Sequence, residues 1–250
     1  MQDLERQNMI LNYLKTNNSA TVEFLAKTFY ASPSTIRRDL TNLEKTGMIH
    51  RTHGGAIYND GIKEISIMVR KEENEGVKNQ LADIAAKYIP PFNSIFIDNS
   101  STCFPLIRRL NLNKKLVVTN SLLVAREVKI SSTANVYFLG GDYDINNMST
   151  SGPMTADTLN SFNFDLMIQS AAAVTPSGAY ETESSIAMLK KIARFRAKNR
   201  ILVFDKSKLG KNCPYLSSSL DGFDFIITDA SQEQIEELKN GNNKLVFYNE

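Results

Sequence analysis

Seven short apolar runs recur between residues 94 and 248: SIFID at 94–98, KLVVT at 115–119, NVYFLG at 135–140, FDLMIQ at 164–169, RILVFD at 200–205, DFIITD at 224–229 and KLVFY at 244–248. Each is the length of a strand, rich in β-branched or aromatic residues, and separated from the next by stretches with helical patterning. That alternation predicts an α/β domain, Rossmann-like, with a largely parallel sheet. In such sheets ligands sit beyond the carboxyl ends of the strands. The chain places polar or small residues there: Asp98 with Asn99, Ser100, Ser101 and Thr102; Asn120 with Ser121; Gly140 with Gly141; Asp205 with Lys208; and Asp229. The loop at 99–102 leads toward a helix expected near residues 103–110, so its hydroxyls and backbone N–H groups suit a phosphate at a helix amino terminus. A small anionic ligand is implied. The competing reading is that these are ordinary turn and cap residues, which Ser, Thr, Asn, Asp and Gly supply in any α/β domain.

The first 58 residues read differently. Leu4, Ile10, Leu11 and Leu14 fall at helical spacing, and Val22, Leu25, Ala26 and Phe29 repeat it after a polar break. Ser32 is placed to cap a third helix with Pro33 at its first position, where a missing N–H costs nothing. Ile36, Leu40 and Leu43 face inward, Gly47 stops the helix, and Ser34, Thr35, Arg37, Arg38 and Lys45 face out. Three short helices with a tight turn before the third predict a helix-turn-helix whose third helix enters the major groove of double-stranded DNA. Arg37 and Arg38 suit a bidentate grip on guanine, and Ser34 and Thr35 suit phosphate or base edges. The alternating segment carrying His50, Arg51 and His53 runs into Gly54-Gly55, which predicts a hairpin wing against the DNA backbone or minor groove. Before Asp60 there are seven Lys and Arg against five acids, a slight basic excess joined by both histidines.

The residues SPSTIRRDL at 32–40 and LEKTGMIHRTHGGA at 43–56 closely resemble the helix-turn-helix of the DeoR family of bacterial sugar-metabolism regulators. IDNSST, VVTNSL, FLGGDY, FDKSKLG and IITDA follow in the order of that family's sensor domain, whose fold is related to ribose-5-phosphate isomerase. The resemblance implies a phosphorylated-sugar effector and adds Lys190 to its site. It also exposes departures. Ser100 stands where the family's phosphate loop has Gly, Ala173 lies near another usual Gly, and Ile186 replaces a usual Glu. Glu181 and Glu183, in the same variable stretch, either compensate for these departures or are solvated loop charges, and the second reading is preferred.

A charged, weakly periodic segment at 59–75 reads as a linker between a winged helix-turn-helix at 1–58 and an effector and oligomerisation domain at 76–250. Cys103 and Cys213 are too few for a disulfide framework or a cysteine zinc site, and His50 with His53 lacks further ligands, so no metal or cofactor is expected. The amino terminus does not resemble a secretory signal and no apolar run reaches the ~18 residues of a membrane span, which predicts a cytoplasmic protein. The expectation is a ligand-gated repressor, not an enzyme, working on a near-palindromic operator as a homodimer or homotetramer. An isomerase-like enzyme using Asp98, Asp205 or Lys208, and a DNA binder or activator without a ligand, are the alternatives.

Overall fold

The computed structural model describes residues 3–45, 48–52, 54–58, 67–240, 242 and 246–248. The chain divides into two compact units, Met1–Ile65 and Ser66–Glu250.

The small unit runs α1 (Asp3–Asn17), β1 (Ser19–Thr21), α2 (Val22–Thr28), α3 (Pro33–Lys45), β2 (Ile49–Arg51) and β3 (Gly55–Tyr58). Polar caps set the helix starts: Thr21 Oγ1 accepts from Phe24 N at 3.1 Å, and Ser32 Oγ accepts from Thr35 N at 3.1 Å. Ile10, Leu14, Leu25, Ile36, Leu40 and Ile49 fill the core, each side chain worth roughly 1.5–3 kcal/mol on burial. Leu4, expected on the inner face, is 71% exposed. The buried stripe of α1 instead runs through Arg6, Ile10 and Leu14.

The wing is a three-stranded antiparallel sheet in the order β1-β3-β2. Gly55 is needed there for space: a Cβ would lie 2.0 Å from Ala20 O on the neighbouring strand. Neither Gly54 nor Gly55 has positive φ, so close approach of two backbones, and not a left-handed turn, demands the glycine. Gly47 and His53 lie outside the described residues, as does the side chain of Lys45.

The large unit begins with α4 (Ile67–Glu72) and α5 (Glu75–Tyr88). It continues through β4 (Ser94–Ile97), β5 (Leu116–Thr119), α6 (Leu122–Ser131), β6 (Asn135–Phe138), β7 (Asp142–Asp144), β8 (Ser149–Ser151) and α7 (Pro153–Asn160). Then come β9 (Phe164–Gln169), β10 (Ala173–Thr175), β11 (Gly178–Glu181), α8 (Ser184–Arg196), β12 (Ala197–Phe204), β13 (Tyr215–Ser218), β14 (Phe225–Thr228), α9 (Gln232–Lys239) and β15 (Phe247–Tyr248). The seven apolar runs supply one seven-stranded sheet, in the order β15-β14-β12-β9-β4-β5-β6 and parallel throughout. Helices cover both faces, which is why the runs are nearly continuous in apolar residues. Ile95, Ile97, Ile168 and Val203 pack toward α5 and α6, while Phe96, Val118 and Met167 pack toward α7 and α8. The chain builds β4, β5 and β6 toward one edge, then returns to lay β9 on the other side of β4 and proceeds to the opposite edge. The switch point is therefore between β4 and β9.

Three features differ from the sequence expectation. Within the segment read as a linker, residues 67–72 form α4 and belong with the larger unit, where Ile67 is buried and its N–H donates to Asn146 O at 2.9 Å. The helix expected near 103–110 is a 3₁₀ turn, Phe104–Arg108, with Pro105 at its start. A β7–β8 hairpin and a small antiparallel sheet, β10-β11-β13, were not expected, because strands of three or four polar and small residues carry no alternation.

Candidate functional site

In the small unit the start of α3 presents a polar face. Ser34, Arg37 and Arg38 are exposed and Thr35 is half-buried. Ser32 Oγ lies 2.8 Å from Ser34 Oγ and 2.9 Å from Thr35 Oγ1, so the cap gathers three hydroxyls at the positive end of the helix. Arg37 has no side-chain partner among the described residues, which leaves its guanidinium fork open to a base or phosphate.

Arg51 is placed otherwise. Its backbone N–H donates to Glu44 Oε1 at 2.9 Å and its guanidinium to Thr41 Oγ1 at 2.9 Å, both on α3. It thus ties the wing to the third helix. His50 sits beside it on β2, half-buried and paired in register with Ile57. Beneath this face Asp39, fully buried, accepts from Arg6 Nε at 2.6 Å and from Gln7 Nε2 at 3.1 Å, locking α1 to α3.

In the large unit, polar groups collect at the switch point. Asp98 leaves β4 buried. Its Oδ1 accepts from Ser100 N at 3.0 Å and from the Ser100 hydroxyl, and its Oδ2 accepts from Ser170 N at 3.1 Å, just past β9. Lys190 reaches the same carboxylate from α8, 3.0 Å from Asp98 Oδ2. It also donates to Glu181 Oε1 at 2.7 Å and to Ser170 O at 2.9 Å. Three acceptors occupy the three donors of an ammonium group, so Lys190 holds the frame of the site and has no proton to offer a ligand. Burial by itself would lower its pKa, but Glu181 and Asp98 outweigh that and hold it well above the ordinary lysine value. Glu181 is 4% exposed and is no solvated loop charge.

Ser100 therefore spends its hydroxyl and its N–H on Asp98, and the loop's remaining hydroxyls come from Ser101 and Thr102, both buried. Asn120 donates from Nδ2 to Thr150 O at 2.9 Å, while its Oδ1 is buried without a partner. Both polar atoms of the Gln169 amide and the Ser170 hydroxyl are also buried without partners. No sequence signal singled out Gln169 or Ser170, because Gln169 closes an apolar run and reads as its last strand residue.

Ser121 caps α6 through Val124 N at 3.4 Å and lines a narrow, open cleft with Asn99, Ser100 and Ser101. Gly140 and Gly141 serve another purpose. A Cβ on Gly141, at φ +138, would fall 2.0 Å from Thr155 Oγ1, which lies 2.7 Å from Gly140 O. Gly141 lets α7 pack closely, a Cβ on Gly140 would meet nothing within 4 Å, and neither lines the cleft.

Asp205, buried after β12, accepts from Ser207 N at 3.0 Å. With Lys208 it is electrostatically coupled to Lys78 in the first turn of α5. Lys78 was not foreseen. It is buried, donates to Arg70 O and to Glu73 O (2.7 Å for the latter), and burial together with Lys208 pushes its pKa down to about 8.

A helix-turn-helix with an open arginine face, followed by a parallel α/β unit with a polar crevice at its switch point, defines a DNA-binding transcriptional regulator with a sensor domain. Residues 6–61 match the DeoR-like helix-turn-helix domain and residues 73–230 match the DeoR C terminal sensor domain. The chain belongs to the DeoR family.

It is 31% identical to the HTH-type transcriptional regulator GolR of Listeria innocua, over 92% of this chain and 91% of that one. Identity is 29% to the transcriptional repressor GlcR of Bacillus subtilis, over 94% and 91%. It is 28% to the glycerol-3-phosphate regulon repressor of Escherichia coli, over 92% of each. Among solved structures, a ribose 5-phosphate isomerase A from Methanocaldococcus jannaschii overlaps 55% of both chains at a TM-score of 0.39 and 16% identity. Among the described residues no helix is long and apolar enough to cross a membrane.

Proposed function

We propose that this regulator is a repressor of carbohydrate-metabolism genes that acts as a cytoplasmic homo-oligomer and is released from its operator by a small phosphorylated sugar. The observation that carries the effector reading is the set of unpartnered buried polar atoms at the carboxyl ends of neighbouring strands, Gln169 Oε1 and Nε2 and Ser170 Oγ at the end of β9 and Asn120 Oδ1 after β5. A buried polar group without a partner costs about 1–3 kcal/mol, a cost that the hydroxyls of a sugar admitted beside these groups would relieve. The names of two relatives, one the repressor of a glycerol-3-phosphate regulon, favour repression and a phosphorylated effector. Arg37, Arg38, Ser34 and Thr35 read the DNA, and Arg51 positions the wing. Self-association is favoured by Tyr137 and Phe138, exposed on the edge strand β6. Enzymatic turnover is disfavoured because Asp98 and Lys190 are saturated by partners within the fold.

Replacing Arg37 or Arg38 with Ala lowers operator affinity by about 1–3 kcal/mol where the residue reads a base, with melting temperature unchanged. Fluorescence anisotropy on operator DNA, with and without glycerol 3-phosphate, fructose 6-phosphate and glucose 6-phosphate, measures both halves of the reading. Full affinity in both variants rejects the α3 assignment, and indifference to every phosphorylated compound rejects the effector.

A further inference from the structure

The cleft beyond the carboxyl ends of β4 and β5 carries little positive charge of its own. Asp98 and Glu181 face the single ammonium of Lys190, leaving one formal negative charge under the loop that is to receive an anion. Of the residues lining the cleft, Lys71 is the charged one, and it comes from α4, six residues that neither family match covers. Its Nζ stands 4.3 Å from the centre of the Phe104 ring, and among the described residues it has no hydrogen-bond or ion-pair partner. Neighbouring cations are committed. Arg108 pairs with Glu127, Arg109 with Asp83, and Lys78 binds main-chain carbonyls.

Helix α4 is fixed in place. Ile67 is buried at its start, Arg70 donates to Asn147 Oδ1, and Lys78 holds the Arg70 carbonyl near its end. Lys71 thus projects from an anchored element, over an aromatic ring, beside Ser101 and Ser121.

We propose that Lys71 is an effector-binding residue, supplying the cation that meets the anionic group of a phosphorylated sugar beside the hydroxyls of Ser101 and Ser121. The inference rests on the effector reading above. It also gives that ligand a handle on the rest of the chain, since eight residues separate α4 from Tyr58, the end of the wing. A ligand alters operator affinity only through contacts that differ between the states it chooses between, and a contact on α4 lies where the connector begins.

The test uses the full chain on operator DNA, with glycerol 3-phosphate, fructose 6-phosphate and glucose 6-phosphate as probes and inorganic phosphate alongside. Lys71→Gln is expected to raise the concentration needed for half-release about 10- to 100-fold, the loss of one charge-assisted contact. Operator affinity without the probe stays within about twofold of wild type. Lys71→Arg keeps the response, and Lys206→Gln, an exposed lysine outside the cleft, leaves it unchanged. A Lys71→Gln protein that responds like wild type overturns the proposal while the effector reading stands. One that loses operator binding without any probe also overturns it, by making Lys71 a structural residue. A wild type that ignores every probe overturns both.

Discussion

Replacing Lys190 with methionine destabilises the larger unit by about 3–5 kcal/mol, the cost typical of removing one partner from a buried ion pair. The geometry explains why the loss is not milder. Asp98 is 1% exposed, Glu181 4% and Lys190 3%, so water cannot replace the ammonium. Methionine fills a similar volume, which removes cavity formation as a cause and leaves two carboxylates facing each other with Ser170 O unpaired. Urea unfolding followed by tyrosine fluorescence measures this, the chain having nine tyrosines and no tryptophan. Adding Glu181→Gln to Lys190→Met is expected to recover at least about 1 kcal/mol, because it removes one of the two opposed charges. A loss below about 1 kcal/mol in the single variant contradicts a buried triad.

The triad also shows what the sequence made legible. The seven strands were readable because both faces of the sheet are covered and each run is apolar throughout, and the strand ends followed from them. The helix-turn-helix was readable because Ser32 and Pro33 mark a helix start in a way few other residue pairs do. What escaped was the pairing of charges. Asp39 lies on the same stripe of α3 as Ile36, Leu40 and Leu43; Lys78 shares a stripe of α5 with Leu81, Ala82 and Ala85; and Lys190 shares one of α8 with Ile186, Leu189 and Ala193. A charged residue at an inward position is itself a signal, since burial without a partner is prohibitively costly. The partners are invisible from spacing because they arrive from distant segments: Arg6 for Asp39, the carbonyls of Arg70 and Glu73 for Lys78, Asp98 and Glu181 for Lys190. The role of α4 escaped for another reason. Three of its six residues, Arg70, Lys71 and Glu72, are charged and the segment around it is polar, so its short apolar start, with Ile67 buried against the larger unit, is too brief to distinguish it from a connector.

The same logic gives the second large effect, in the DNA-binding unit. Asp39→Ala takes the carboxylate from the guanidinium of Arg6, which is 7% exposed and loses its contact at 2.6 Å, and releases Gln7. The expected cost is again about 3–5 kcal/mol, and here it falls on a unit of some 65 residues, a size at which total stability is itself only a few kcal/mol. Operator binding therefore disappears through unfolding of the helix-turn-helix, although Arg37 and Arg38 are intact. Circular dichroism separates the two routes to the same phenotype: Asp39→Ala loses helix signal on mild warming, whereas Arg37→Ala loses affinity and keeps its melting curve. The double variant Arg6→Met/Asp39→Leu replaces the ion pair with apolar side chains and recovers most of the stability, because two well-packed hydrophobic residues match or exceed a buried salt bridge. Recovery of folding with recovery of operator affinity assigns the pair to holding α1 on α3. Recovery of folding without affinity instead gives Arg6 or Asp39 a part in setting the angle at which α3 meets the groove.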